Sequence, residues 1–208
     1  MKVAAIVPAY NEEQTIDDVV RALIHQPSID EVVVVNDGSE DATAKRAQRH
    51  PITFVDLAEN RGKGGAMVAG VQATDADVFL FLDADLVGLE QMHIEALLQP
   101  VLDERAQMSI GVFEEGRLAT DWAQKLAPFL SGQRAIHRDL WNRISELEAS
   151  RYGVEVTLSR QAEKLGAAVE TVVLRDLSQV MKEEKRGFLK GLVLRMKMYW
   201  EIVRSVKF

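Results

Sequence analysis

The chain has 208 residues, 47% of them hydrophobic, which is enough for one well-filled core and short for two domains of ordinary size. It contains no cysteine, so disulfides and thiolate metal sites are excluded and any metal must sit on oxygen or imidazole. The net charge of −7 argues against nucleic acid as a partner, because such binders carry a basic footprint; the charge is uneven, since residues 182–208 hold eight Lys or Arg against three Glu, a net of +5, which leaves −12 on residues 1–181.

In chain order, "VAAIVP" (3 to 8) predicts a short apolar strand. Asn11 is then expected to cap a helix whose apolar positions Ile16, Val19, Val20, Leu23 and Ile24 recur at helical spacing, with Gln14 closing a capping box. "EVVVVND" (31 to 37) predicts a second strand, apolar on both faces as in a covered parallel sheet. A helix is expected to start at Ser39 or Asp41, and "ITFVDL" (52 to 57) reads as the third strand. A helix from about Gly62 to Ala73 leads into the apolar strand of "VFLFLD". This strand–helix alternation predicts a doubly wound, mostly parallel sheet with helices on both faces, in a single α/β domain. Met1-Lys2 runs straight into the first strand without a signal-like apolar region. No stretch reaches the ~18 uninterrupted apolar residues of a spanning helix, so a cytoplasmic location is expected.

Ligands in such sheets bind outside the carboxyl ends of the strands. Those ends are "PAYNE" (8 to 12), "NDGSED" (36 to 41), "ENRGKGG" (59 to 65) and "DADL" (83 to 86), which place polar and Gly-rich residues on one edge. Asp83 and Asp85 alone carry little weight, since about one such pair arises by chance in a chain this long. Four polar strand ends together are harder to attribute to turn chemistry. The first strand lacks the G-x-G-x-x-G of a dinucleotide site, and "NRGKGGAM" lacks the spacing of a P-loop, so NAD enzymes and nucleotide hydrolases of those types are disfavoured.

The segments "VPAYNEEQTI", "VVVVNDGSEDAT", "NRGKGGAM" and "FLDADL", in this order and spacing, resemble the nucleotide-sugar half of glycosyltransferase family 2 enzymes with the GT-A fold. "SGQRAIHRDLWN" (131 to 142) and "YGVEVTL" (152 to 158) look like the acceptor half of dolichyl-phosphate mannosyltransferase-like and glucosyl-3-phosphoglycerate synthase-like members. The resemblance implies a domain over residues 1–180, with a nucleotide-sugar half at 1–88 and an acceptor half at 89–180. It implies transfer from a UDP- or GDP-linked sugar to a lipid-phosphate or other phosphorylated acceptor, with Mg2+ or Mn2+. By the same resemblance Asp85 is a metal ligand and catalytic, and Asp83 reaches ribose or the metal. Pro8, Tyr10 and Glu12 line the base and ribose pocket, Asp37 accepts from the base, and Lys63 sits by base or phosphates. Glu155 is the candidate catalytic base of the acceptor side, with a helix-start glutamate as the structural alternative. Arg134 and Arg138 are expected to bind acceptor anion. Relatives that invert and relatives that retain both fit the motifs. Many relatives place a metal-binding histidine after the last strand; here Gln179 stands there, and His137 is the nearest other candidate. A nucleotidyltransferase and a nucleotide-binding protein of weakened catalysis are the competing classes.

Residues 186–208 carry an apolar stripe, Phe188, Leu192, Met196, Tyr199, Val203 and Val206, with Arg186, Lys190, Lys197 and Arg204 mostly off it. This pattern predicts a basic amphipathic helix over 181–208 that lies on an anionic membrane surface. Packing on the protein's own sheet and pairing in a homodimer are the other readings.

Overall fold

The computed structural model describes residues 1–113, 131–144 and 153–179. The chain separates into a unit Met1–Ser178 and a unit Gln179–Phe208. The amphipathic tail lies outside the described residues.

The first unit is built on β1 (Val3–Ala9), α1 (Ile16–Ile24), β2 (Glu31–Asn36), α2 (Thr43–Ala47), β3 (Thr53–Asp56), α3 (Gly62–Gln72) and β4 (Val78–Phe81). After the short β5 (Leu86–Val87) come α4 (Gln91–Leu102), β6 (Met108–Phe113), β7 (Arg134–His137), α5 (Arg138–Arg143), α6 (Val154–Lys164) and β8 (Val169–Leu174). Seven strands form one sheet in the order β3-β2-β1-β4-β7-β6-β8. β1 to β4 are mutually parallel, as the alternation predicts, and β8 is parallel to β6. β7 runs against both of its neighbours. Its first residue, Arg134, stands opposite Phe81 and its last, His137, opposite Val78. The chain therefore enters β7 at the edge where β4 ends, and this brings "SGQR" beside "DAD".

The sheet divides the core. On one face Val3, Ala5 and Val7 pack with Ile16, Val20 and Leu23 of α1 and Ile94, Leu97 and Leu98 of α4. On the other, Ala4 and Ile6 pack with Met67 of α3 and Val154, Leu158 and Ala162 of α6. The alternation along β1 is the period of two that sends successive side chains to opposite faces, and both faces being covered explains the continuous apolar runs. Trp141 closes the second layer, stacked on Phe81 with ring centroids 5.1 Å apart. Gly70 of α3 is required by close approach, because a Cβ there would stand 3.1 Å from the Val35 methyl and nearer still to Ile6.

Two helix starts differ from expectation. Asn11 does not cap α1; it takes the left-handed conformation, φ 57°. A capping residue needs extended backbone, and the Asn11 side chain instead accepts from Glu40 N at 2.9 Å. The helix begins at Ile16 after Thr15, whose hydroxyl donates to the Ala84 carbonyl at 2.7 Å rather than to the helix. α2 begins at Thr43, later than Ser39 or Asp41, although Asp41 Oδ1 does accept from Thr43 N at 2.9 Å.

Candidate active site

The carboxyl ends of β1 to β4 lie on one edge because the strands are parallel, and their loops are laced together. Asn11 N donates to Ser39 Oγ at 3.0 Å, Glu12 N to Thr43 Oγ1 at 2.7 Å, and Glu13 N to Asp41 Oδ2 at 3.2 Å. These bonds join the end of β1 to the end of β2. Pro8 sits within β1 opposite Val35, and Tyr10 follows the strand with 37% of its surface exposed. Asp37 is buried past the end of β2; its N–H donates to the Ala9 carbonyl at 2.8 Å, and its Oδ1 accepts from Arg61 N at 2.7 Å. Asn60 adds a bond to the Asp37 carbonyl at 3.1 Å, so the β2 end is fastened to the start of α3.

Lys63, in the first turn of α3, is the centre of the charged cluster. Its Nζ lies 2.5 Å from Asp83 Oδ1 and 2.7 Å from Glu155 Oε1. Asp83 Oδ2 accepts from Gln133 Nε2 at 3.2 Å. Glu155 occupies the first turn of α6, which starts after Gly153 in a left-handed conformation. Lys63 and Glu155 thus meet across 92 residues of chain. Gly132 closes over the pair, and a Cβ on it would fall 2.5 and 2.7 Å from the two Asp83 oxygens.

Burial favours the neutral amine of Lys63, but Asp83 and Glu155 outweigh it and raise its pKa above the ordinary value. Burial likewise pushes the Glu155 carboxyl up, and the Lys63 ammonium overrides this and holds it below the usual carboxylate range. Glu155 is therefore ionised and paired at neutral pH, which makes it a weak proton acceptor.

The two arginines expected to bind acceptor anion lie in different surroundings. Arg134 is 0% exposed; its Nη1 donates to the Glu155 carbonyl at 3.3 Å and its Nη2 to the Ser131 carbonyl at 2.5 Å. It lies behind the cluster instead of lining an open anion pocket. Burial lowers its guanidinium pKa to about 10, against the pull of Glu155 and Asp83. Arg138 is at the opposite edge of the sheet, where its Nε donates to the Ala76 carbonyl at 2.6 Å and its guanidinium lies 4.7 Å from the centre of the Phe79 ring. Backbone carbonyls and an aromatic face absorb this arginine. His137 shares that far edge, opposite Val78, so it stands apart from the carboxylates.

Among the described residues there is no group of three or more His, Cys, Asp or Glu that could hold a metal ion. Each oxygen of Asp83 already has a donor, and Asp85, 9% exposed, is the second carboxylate of the strand end. Carboxylate oxygens are the donor type that a hard cation such as Mg2+ or Mn2+ takes, so the chemistry of Asp85 is compatible with such an ion. Gln179 ends the described chain and supplies no imidazole.

Thr15, Asn60, Ser131 and Gln133 are the residues that the motifs did not single out. The resemblance of "SGQRAIHRDLWN" marked the segment of Ser131 and Gln133 without assigning either residue a role, and pairing of β7 against β4 is what gives them a place at the site.

The mostly parallel seven-stranded α/β sheet matches the GT-A glycosyltransferase fold. The chain belongs to glycosyl transferase family 2, whose profile matches residues 4–170. Among solved structures it is similar to glucosyl-3-phosphoglycerate synthase from Mycobacterium tuberculosis in complex with phosphoglyceric acid, with a TM-score of 0.71 and 26% identity over 86% of this chain and 72% of that one. The same enzyme with Mn2+, uridine-diphosphate-glucose and phosphoglyceric acid gives a TM-score of 0.70 at 26% identity, covering 86% and 71% of the two chains. Among curated proteins, poly-beta-1,6-N-acetyl-D-glucosamine synthase of Staphylococcus aureus (strain COL) is 38% identical over 89 residues, 39% of this chain and 21% of that protein. Dolichyl-phosphate beta-glucosyltransferase of Drosophila melanogaster is 39% identical over 101 residues, 41% of this chain and 31% of that protein. The chain thus matches between a fifth and a third of the length of these curated relatives.

Proposed function

We propose that the protein transfers a hexosyl group from a nucleotide diphosphate sugar, UDP-glucose before a GDP-linked donor, to a phosphorylated acceptor. The observation that carries this reading is the meeting of Lys63, Asp83 and Glu155 beside Asp85 at the carboxyl edge of the sheet. The choice of UDP-glucose follows the structural relative that holds it with Mn2+. Pro8, Tyr10, Glu12 and Asp37 stand at the ends of β1 and β2, where the base and ribose would lie, and Asp83 would face the ribose. As the bond from sugar C1 to the diphosphate oxygen breaks, UDP leaves with the electron pair and an acceptor oxygen forms the new bond to C1. Mg2+ or Mn2+, bound at Asp85, would offset the charge growing on the diphosphate. Lys63 adds a second positive charge on the same side.

Glu155, held ionised against Lys63, takes up a proton poorly, which favours an acceptor whose attacking oxygen is already an anion. A lipid phosphate meets this condition, and the dolichyl-phosphate relative supports it. Phosphoglycerate is the second reading, supported by the fold neighbour that binds it. Gln179 supports a third, a nucleotide-binding protein of weakened catalysis. We place the reaction in the cytoplasm, at the membrane surface if residues 186–208 form the basic helix; among the described residues no helix is long and apolar enough to cross a membrane.

The test is a panel of nucleotide sugars screened by thermal shift with and without Mn2+, followed by assay of nucleoside diphosphate release with a polyprenyl phosphate or 3-phosphoglycerate. Mn2+-dependent stabilisation by UDP-glucose with release on adding one acceptor is expected. Stabilisation without release under any condition would leave the weakened-catalysis reading, and no response to any nucleotide sugar would overturn the proposal.

A further inference from the structure

Gln133 and Arg134 are consecutive, both are 0% exposed, and they approach the site from the antiparallel strand. Gln133 donates its amide N–H to Asp83 Oδ2 at 3.2 Å, while its Oε1 is buried without a partner. Turned over, the amide would set that oxygen against the Asp83 carboxylate, so Asp83 decides how Gln133 points and Gln133 in turn restrains Asp83. Arg134 donates to the Glu155 carbonyl, to Ser159 Oγ at 3.5 Å and to the Ser131 carbonyl, and its Nε is buried without a partner. A buried guanidinium that leaves one N–H unsatisfied is a costly way to fill a core. Its contacts have another effect: they fasten the Ser131–Gly132 turn to the first turn of α6, and at Gly132 a Cβ would collide with Lys63 and Asp83, so this backbone runs close beside the pair.

We propose that Gln133 and Arg134 are positioning residues for the transfer. Gln133 orients Asp83, and Arg134 sets Glu155 and the Ser131–Gly132 turn around Lys63; neither touches donor or acceptor. The assignment rests on the transferase reading given above. It differs from an acceptor-binding role for Arg134 in a way that can be measured, because a residue that acts through Glu155 and the turn affects the donor side even when no anionic acceptor is present.

The test uses Gln133→Met, Arg134→Met and Arg134→Lys in the full chain. Three quantities are read: UDP affinity with Mn2+ by calorimetry, UDP release from UDP-glucose with water as acceptor, and amide hydrogen exchange of residues 131–137 and 153–159 without ligand. Loss of an outer partner of a metal or catalytic site typically costs about 10–100-fold, so both Met variants should lose about that factor in UDP affinity or in hydrolysis, with Arg134→Lys recovering part of it. Exchange at 153–159 should quicken in Arg134→Met and stay as in the wild type in Gln133→Met. An arginine that only grips an anionic acceptor would leave hydrolysis and UDP affinity unchanged in Arg134→Met; that result, or unchanged constants in all three variants, overturns the proposal. If Arg134→Met does not fold, the other two variants decide by the same constants. If the wild type neither binds UDP nor releases it, the transferase reading falls, and the exchange data alone judge the positioning: unchanged exchange at 153–159 in Arg134→Met, or in Arg134→Lys where the former does not fold, overturns it.

Discussion

Replacing Lys63 with Met removes the ammonium that touches both Asp83 and Glu155 and leaves two carboxylates facing each other with a side chain of similar length between them. Breaking a fully buried ion pair costs roughly 3–5 kcal/mol. Here water reaches the cluster, since the Lys63 and Asp83 side chains keep 27% and 20% of their exposure and Glu155 16%, and Arg134 remains close as a counter-charge. About 2–3 kcal/mol is therefore expected at pH 7, a fall in Tm of about 5–10 °C for a domain of this size. The dependence on pH is the sharper observation. In the wild type Glu155 titrates below its ordinary value of 4.5, so the stability it contributes is complete above that value and is lost as pH falls through the folded one. Without the ammonium, burial and the Asp83 charge both push Glu155 upward. The variant then gains by taking up a proton as pH falls, and its deficit should be largest at pH 7–8 and shrink toward pH 5. Urea unfolding at several pH values, followed by tryptophan fluorescence, measures this directly. A deficit below about 0.5 kcal/mol at pH 7, the range of ordinary surface changes, or one that stays constant between pH 8 and pH 5, would refute the reasoning.

Asp85→Ala should abolish the Mn2+ dependence of UDP binding with little change in Tm, and equal wild-type affinity with and without metal would remove the role given to Asp85. Asp37→Ala should weaken UDP binding and also lower stability by about 1–3 kcal/mol, because the Arg61 N–H loses the carboxylate that accepts from it in a part-buried bond; calorimetry and urea titration separate the two effects. Glu155→Gln keeps an acceptor for Lys63 and removes the charge, so UDP affinity should hold and turnover should fall by less than the ~10²-fold that a general base typically supplies, whereas a loss of ~10²-fold or more would make Glu155 the base after all. An unchanged rate would confine Glu155 to holding Lys63. Salt-sensitive flotation with anionic but not neutral liposomes, lost on removing residues 186–208, is expected of the tail, and indifference to anionic liposomes at low salt would favour a soluble acceptor.

The sequence alone determined the parallel half of the sheet. "EVVVVN" and "VFLF" are apolar at every position because a covered sheet buries both faces, and that signal is local enough to read along the chain. Parallel strands place their carboxyl ends together, so Asp37, Lys63, Asp83 and Asp85 could be assigned to one edge without coordinates. The direction of β7 was not legible in this way. Four residues, "RAIH", carry no mark of running antiparallel, and only their pairing between β4 and β6 decides it. That pairing delivers Gly132 and Gln133 to Asp83, buries Arg134 behind Glu155, and carries His137 and Arg138 to the far edge. An arginine at the start of a strand and one four residues later look alike in sequence. Their surroundings separate them, since one guanidinium lies under a helix start and the other on the Phe79 ring. Helix starts escape the sequence for a related reason: Asn11 and Thr15 are both good caps by residue type, but the neighbouring loop and the Ala84 carbonyl take their side chains, and such long-range competition is settled only when the strands have been brought together.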